Sequence, residues 1–205
     1  MNGTPPHSDP VRVQQTFLPV ASERTFLPQT RRARLASLMW TLTWMLLARW
    51  TPGWLNVWRV MLLRCFGAGV GASVYIAPSV RVRFPWNLSI GHKTIIHFCV
   101  IIDCMGPVKI GTGVRLSQYS HICAGTHEYQ DFRMTIHPCS VTIGDDVWVA
   151  ADAFVGPDVV IGQRTIVGAR ASVFKDLPPN VIAVGDNAQP IKMRDHWDTR
   201  LLQHS

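Results

Sequence analysis

The triplet Thr126-His127-Glu128 lies inside HICAGTHEYQDFRMTIHPCSVTIG, residues 121–144, where an otherwise regular sequence pattern stops. A histidine titrates near neutrality, so one held on a loop suits removal of a proton from a substrate hydroxyl. Glu128, or a backbone carbonyl, would orient the ring. These residue types point to general-base chemistry, with His127 as the base. A second set competes with it. His92, His97 and His121 are three imidazoles, a number that a catalytic zinc site takes from its protein. Their phases in the repeat differ, which aims them at different faces, and no metal is expected. Asp103 opens another irregular stretch, where it would contact a substrate, support His127 or shape a turn. The five cysteines (Cys65, Cys99, Cys104, Cys123 and Cys139) are odd in number and lack C-x-x-C spacing. Neither a disulfide framework nor a zinc knuckle is indicated.

The elements that position these residues are written in the spacing of the aliphatic side chains. Val70, Ile76 and Val82 are six apart, as are Ile90, Ile96 and Ile102, then Ile110, Leu116 and Ile122. After the break come Ile143, Val149, Val155, Ile161, Val167 and Val173 without a slip. Small or β-branched residues stand four after most anchors. A helix would bring apolar residues back at 3.6 and a simple strand at 2. A period of six with two inward positions is the hexapeptide repeat of a parallel β-helix. At three anchors per turn the run makes about five coils, a prism of roughly 24 Å at strand spacing. The intervals Val82–Ile90, Ile102–Ile110 and Ile122–Ile143 are longer than six, and each follows the third anchor of its coil. All three insertions therefore leave the prism at one edge, where extra backbone can build a site.

Before the repeat, residues 35–48 read LASLMWTLTWMLLA, fourteen residues against the roughly 20 of a membrane span. Pro52-Gly53 breaks the segment, and WLNVWRVMLLRCF resumes it. Trp40, Trp44, Trp50, Trp54 and Trp58, interleaved with Arg49 and Arg59, have the composition of an interfacial anchor. An equally good reading makes the two short helices a cover for the open end of the repeat. The net charge of +7 calls for an anionic partner: a phosphorylated cofactor, an acidic membrane surface or nucleic acid. No homeodomain, zinc-finger or RNP-like signature accompanies it, so nucleic acid is not expected. The first 30 residues lack the apolar core of a signal peptide, which predicts a cytoplasmic protein. The organisation expected is a disordered or extended tail over 1–30 and an apolar, Trp/Arg-rich helical segment over 31–66. An all-β domain with its loop at 123–142 follows over 67–178, then a C-terminal extension over 179–205.

On GTHEY in the loop, IGDDVWVAADAFVGPDVVIG, and VGARASVFKDLPPN followed by VGDNA, the chain resembles the hexapeptide-repeat acyltransferases of the left-handed β-helix class. Within them it is most similar to the colanic-acid or exopolysaccharide O-acetyltransferases, relatives of the maltose and galactoside acetyltransferases. The resemblance implies a homotrimer with acetyl-CoA in the groove between prisms and His127 as base on a sugar hydroxyl. It implies that Trp148 walls the pantetheine channel and that Ala151 and Ala169 let the cofactor approach the main chain. Lys175 matches a basic position near the nucleotide end, and Lys192 and Arg194 would be placed to meet phosphates. Gly185-Asp186-Asn187-Ala188 departs from the family's usual Gly-Asn-Pro-Ala. The acceptor implied is a saccharide, free or lipid-linked, and the Trp/Arg composition of 35–66 adds the expectation of peripheral membrane contact through that segment. A zinc enzyme like the γ-type carbonic anhydrases and a membrane-docked scaffold without catalysis are the alternatives.

Overall fold

The computed structural model describes residues 31–128, 130 and 132–194. The tail over 1–30 and the last part of the C-terminal extension, 195–205, lie outside the described residues. Three parallel sheets form the faces of a prism. The first face holds Gly69–Val70, Leu88–Ile90, Val108–Ile110, Val141–Ile143 and Val159–Ile161. The second holds Tyr75–Ile76, Ile95–Ile96, Arg115–Leu116, Trp148–Val149, Ile166–Val167 and Val181–Val184. The third holds Arg81–Arg83, Ile101–Asp103, His121–Cys123, Phe154–Val155 and Ser172–Val173.

The register stacks the anchors in three columns. Ile90, Ile110, Ile143 and Ile161 pair in succession on the first face. Ile96, Leu116, Val149 and Val167 do so on the second, and Ile102, Ile122, Val155 and Val173 on the third. Every anchor except the half-buried Val70 is buried, and so are the positions four residues on wherever the coil continues without an insertion, Thr94, Ser120 and Thr165 included. The buried hydroxyls do not go unpaired: Thr94 donates to the carbonyl of Gly111 at 2.8 Å and Thr165 to that of Pro178 at 2.6 Å. The interval of twenty-one residues leaves no gap in the stack, since Ile122 lies on Val155 as Ile102 lies on Ile122.

A sixth coil follows the five read from the anchors. Leu177 bridges Ile161, Ala183 pairs with Val167, and Asp186 bridges Ser172. The prism therefore runs past residue 178. Its last strand on the second face is covered by the antiparallel strand Gln189–Met193.

At the other end two helices, α1 (Arg31–Thr43) and α2 (Asn56–Cys65), lie on the first coil. That coil has no strand before it, so its outward carbonyls need other donors. Five side chains supply them. Trp40 Nε1–H donates to Val82 O at 2.7 Å and Trp44 Nε1–H to Val80 O at 2.9 Å. Arg59 Nε–H reaches Ile76 O at 2.8 Å, Asn56 Nδ2–H reaches Val74 O at 2.7 Å, and Arg64 reaches Val70 O at 2.7 Å. The covering role thus holds for the inner side of this segment. Trp40 and Trp44, 2% and 7% exposed, are core residues and not interfacial ones; Trp50 and Trp54, 79% and 80% exposed, are free of the prism. Among the described residues no helix is long and apolar enough to cross a membrane.

Candidate active site

The three insertions leave between the third and first faces, as the intervals require. They are tied into one edge by their backbones. Cys104 N–H donates to Arg83 O at 3.3 Å, Ala124 N–H to Asp103 O at 2.9 Å, and Gly106 N–H to Ala124 O at 2.9 Å. Asn87 Nδ2–H adds bonds to the carbonyls of Cys104 at 2.9 Å and Met105 at 3.3 Å. On this base stands an antiparallel hairpin, Gly125–His127 against Ile136–Pro138, with His127 opposite Ile136.

His127 is exposed near the end of the hairpin. Its Nδ1 lies 2.6 Å from the carbonyl oxygen of Met134. A carbonyl only accepts, so Nδ1 carries the proton and donates it, which leaves the Nε2 lone pair free in the neutral ring. That is the tautomer a general base needs. Glu128 does not take this part. Its carboxylate accepts the backbone N–H of Gln130 at 3.3 Å, while its own N–H donates to Thr135 O at 2.8 Å and closes the hairpin. The orienting carbonyl belongs to a residue at φ 48°, in the left-handed region, and nothing in the type of Met134 announces it.

Gly106 holds the hairpin in place from below. A Cβ there would overlap the carbonyl oxygen of Cys139, at the foot of the returning strand. Gly106→Ala must push that strand away, at about 1–3 kcal/mol of overpacking. The expected result is a lower thermal midpoint together with a loss of turnover as His127 shifts. Unchanged kinetics and melting would show that the foot of the hairpin yields freely.

Asp103 is buried on the outer side of the third face. Its Oδ2 pairs with Arg83 Nη1 at 2.8 Å, and its Oδ1 is buried without a hydrogen-bond partner. On the same face His121 packs edge-on against Phe154, ring centroids 5.4 Å apart, with a buried and unpartnered Nε2. Burial pushes the His121 pKa below its ordinary 6.5, and the charge of Asp103 opposes the shift. A depressed histidine binds its proton more readily in the unfolded chain. Its stability contribution is therefore complete above 6.5 and declines as pH falls below that value. His121→Phe should flatten the acid-side loss of thermal stability; parallel stability–pH curves for variant and parent would exonerate His121.

The remaining sequence-predicted residues fall into two groups. Trp148 stands on the second face, its indole N–H donating to Ser117 Oγ at 2.9 Å, with Lys192 beyond it on the closing strand. Ala151 and Ala169 occupy one turn on neighbouring coils between the second and third faces, joined by Arg170 N–H to Ala151 O at 3.0 Å. Lys175 follows the third face and is exposed on the His127 edge, two coils further along. Within one chain the third face separates His127 and Lys175 from the other four. Arg194 is committed to structure, its Nη1 donating to Asp146 O at 3.1 Å and Arg164 O at 2.9 Å. The three histidines of the zinc reading lie apart. His92 Nδ1 accepts Ala72 N–H in a turn off the first face, His97 follows the second face, and His121 is on the third. Among the described residues, no group of three or more His, Cys, Asp or Glu is placed to hold a metal ion.

Six-residue coils, a continuous aliphatic interior and an edge hairpin carrying one oriented histidine define a hexapeptide-repeat transferase. The family model for bacterial transferase hexapeptide (six repeats) matches residues 140–175. The chain is 40% identical over 145 residues to the putative colanic acid biosynthesis acetyltransferase WcaF of Escherichia coli (strain K12), covering 71% of this chain and 80% of that one. It is 29% identical over 130 residues to the galactoside O-acetyltransferase of Escherichia coli (strain K12), covering 62% and 68% respectively. In fold it matches the hexapeptide-repeat acetyltransferase VCA0836 of Vibrio cholerae, solved with acetyl coenzyme A. That likeness has a TM-score of 0.75 at 20% identity over 82% of this chain and 92% of that one. The chain belongs to the hexapeptide-repeat acetyltransferases, in the group that contains the colanic acid enzyme.

Proposed function

We propose that this protein moves an acetyl group from acetyl-CoA to a hydroxyl of a saccharide during assembly of an exopolysaccharide or other cell-surface glycan. The observation that carries the reading is the His127 ring, locked by the Met134 carbonyl in the tautomer with a free Nε2. The relatives' names, colanic acid biosynthesis and galactoside O-acetylation, support the acceptor class. Acetyl-CoA supplies the activated acyl group as a thioester. Nε2 takes the acceptor's hydroxyl proton as that oxygen bonds to the acyl carbon, and the imidazolium returns the proton to the departing thiolate.

Trp148, Ala151, Ala169 and Lys192 suit the donor: an indole wall, two small residues where the arm meets the main chain, and a cation for phosphate. Lys175 on the opposite edge suits the same anion from a neighbouring copy. Because the third face parts the two groups within one chain, the working form is a homotrimer, each site made of one prism's hairpin edge and another's second face. Asp103, held by Arg83, borders the acceptor side. The protein works in the cytoplasm, where acetyl-CoA is made.

The test is acetyl-CoA-dependent release of CoA across soluble and lipid-linked saccharides, with light scattering on the same sample. Acceptor-dependent release by a trimer is expected. Activity in a monomer would refute the shared site, and release that ignores saccharides would refute the acceptor class.

A further inference from the structure

The segment over the first coil has a second side. On α1 and the helical turn Trp44–Ala48 that continues it, the inner residues Ala33, Trp40 and Trp44 are spaced seven and four apart and are buried. Leu35, Leu38, Leu42 and Met45 recur at three and four on the opposite side and are all exposed, with Met39 and Leu46 beside them. On α2 and the turn before it, Trp54, Val57 and Met61 face outward in the same way, and Trp50 stands 79% exposed. A monomer seldom leaves so large an apolar face in water.

Two features of the surface identify its occupant. Between residues 31 and 65 there are six arginines and no aspartate or glutamate. Arg59 is consumed inside, whereas Arg31, Arg32, Arg34, Arg49 and Arg64 remain exposed. Arg31 begins α1 and Arg49 ends the helical turn Trp44–Ala48 that continues it, so exposed cations stand at both ends of this apolar stretch. An apolar stripe with cations at its ends and indoles at the turn matches the boundary between acyl chains and anionic headgroups. The helices are too short to go further.

We infer that the outer face of α1, the Trp50–Trp54 turn and α2 together form a docking surface for an anionic lipid bilayer. The consequence is geometric. The five side-chain bonds fix these helices on the end of the prism, so a docked chain stands with its axis along the membrane normal. The His127 hairpin leaves the third coil, two strand spacings or about 10 Å above the first. With a helix layer of about 10 Å between, the catalytic edge stands about 20 Å from the headgroups. A groove of about 400 Å³ lined by Ala33, Arg34, Ser37, Leu38, Thr41 and Phe84 joins the apolar face to the same edge, because Phe84 begins the first insertion. This geometry rests on the proposed acceptor only in what it is for: it suits a saccharide close to its lipid anchor. In the trimer all three surfaces share one plane and bind together.

The experiment is sedimentation of the full chain with phosphatidylcholine vesicles, with and without phosphatidylglycerol, at rising salt and without CoA or saccharide. It therefore reads docking independently of the reaction. Binding that needs the anionic lipid and weakens as salt rises is expected. Leu38→Ser with Leu42→Ser, or Trp54→Ser alone, should reduce binding about tenfold or more, with circular dichroism and release of CoA to a soluble acceptor unchanged. Arg31→Ser with Arg49→Ser should reduce only the salt-sensitive part. If the parent ignores both vesicle types, or if the leucine variants change its oligomeric state and leave vesicle binding intact, the surface serves a protein contact and the inference is wrong.

Discussion

His127→Ala lowers turnover by about 10²–10⁴-fold and leaves the KM for acetyl-CoA close to its original value. The factor is that of a lost general base, about 2.7–5.5 kcal/mol of barrier. The selectivity follows from where the histidine acts. In the proposed reaction Nε2 would interact with a proton that moves only as the C–O bond forms, so its removal would take away transition-state binding and not donor binding. Two comparisons separate this from damage to the fold. His121→Ala removes a ring from the third face, where Phe154 and Asp103 surround it, and should cost stability more than rate. Glu128→Gln keeps an oxygen for the Gln130 N–H and leaves the Met134 carbonyl on Nδ1, so turnover should change little. A His127→Ala protein with near-normal turnover would exclude it as the base. A large loss in Glu128→Gln would mean that the carboxylate, not the carbonyl, governs the ring.

The prism was legible because each coil repeats one instruction: an aliphatic anchor every six residues, with a small or β-branched partner four further on. The insertion edge was legible for the same reason, since a departure from a period shows where in the period it falls. The sixth coil was not, because Leu177 comes four residues after Val173 and the next inward position is an alanine, Ala183. His127 could be singled out by type and place, but its orienting carbonyl depends on one backbone torsion at Met134. The helical segment shows the limit most plainly. By composition Trp40 and Trp54 are equivalent, and both suit a membrane interface. Helical phase separates them: Trp40 and Trp44 share a side with Ala33, and their partners, Val82 and Val80, lie 42 and 36 residues away. Nothing local specifies bonds of that range. They exist because a stack of coils must end, and its last row of carbonyls must be answered.

Arg59 tests that requirement. It is fully buried, and its guanidinium meets only neutral acceptors: Ile76 O at 2.8 Å, Thr51 Oγ1 at 2.7 Å, Pro52 O at 3.0 Å and Gly53 O at 2.9 Å. Burial lowers its pKa, but a guanidinium stays charged near neutrality, and the ring of oxygens takes the place of water around it. Arg59→Ala would leave the Ile76 carbonyl, in the centre of the first coil, without its donor. It would also free the Thr51–Gly53 turn that joins the two helices and open a void between them. Charge-assisted bonds to buried oxygens contribute about 1.5–3 kcal/mol each. Water can still reach the turn, so the expected cost is about 3–5 kcal/mol. In a chain of this size that lowers the thermal midpoint by roughly 10 °C. Arg59→Lys presents its donors at one point and should recover only part of the loss. Arg64 offers the internal control, because it bonds Val70 O and Gly71 O from an exposed position. There water replaces the side chain, and Arg64→Ala should change the midpoint by a degree or two at most (about 0.5 kcal/mol). If the two alanine variants melt alike, the carbonyls of the first coil do not depend on the helices. The helical segment would then rest on the prism without closing it.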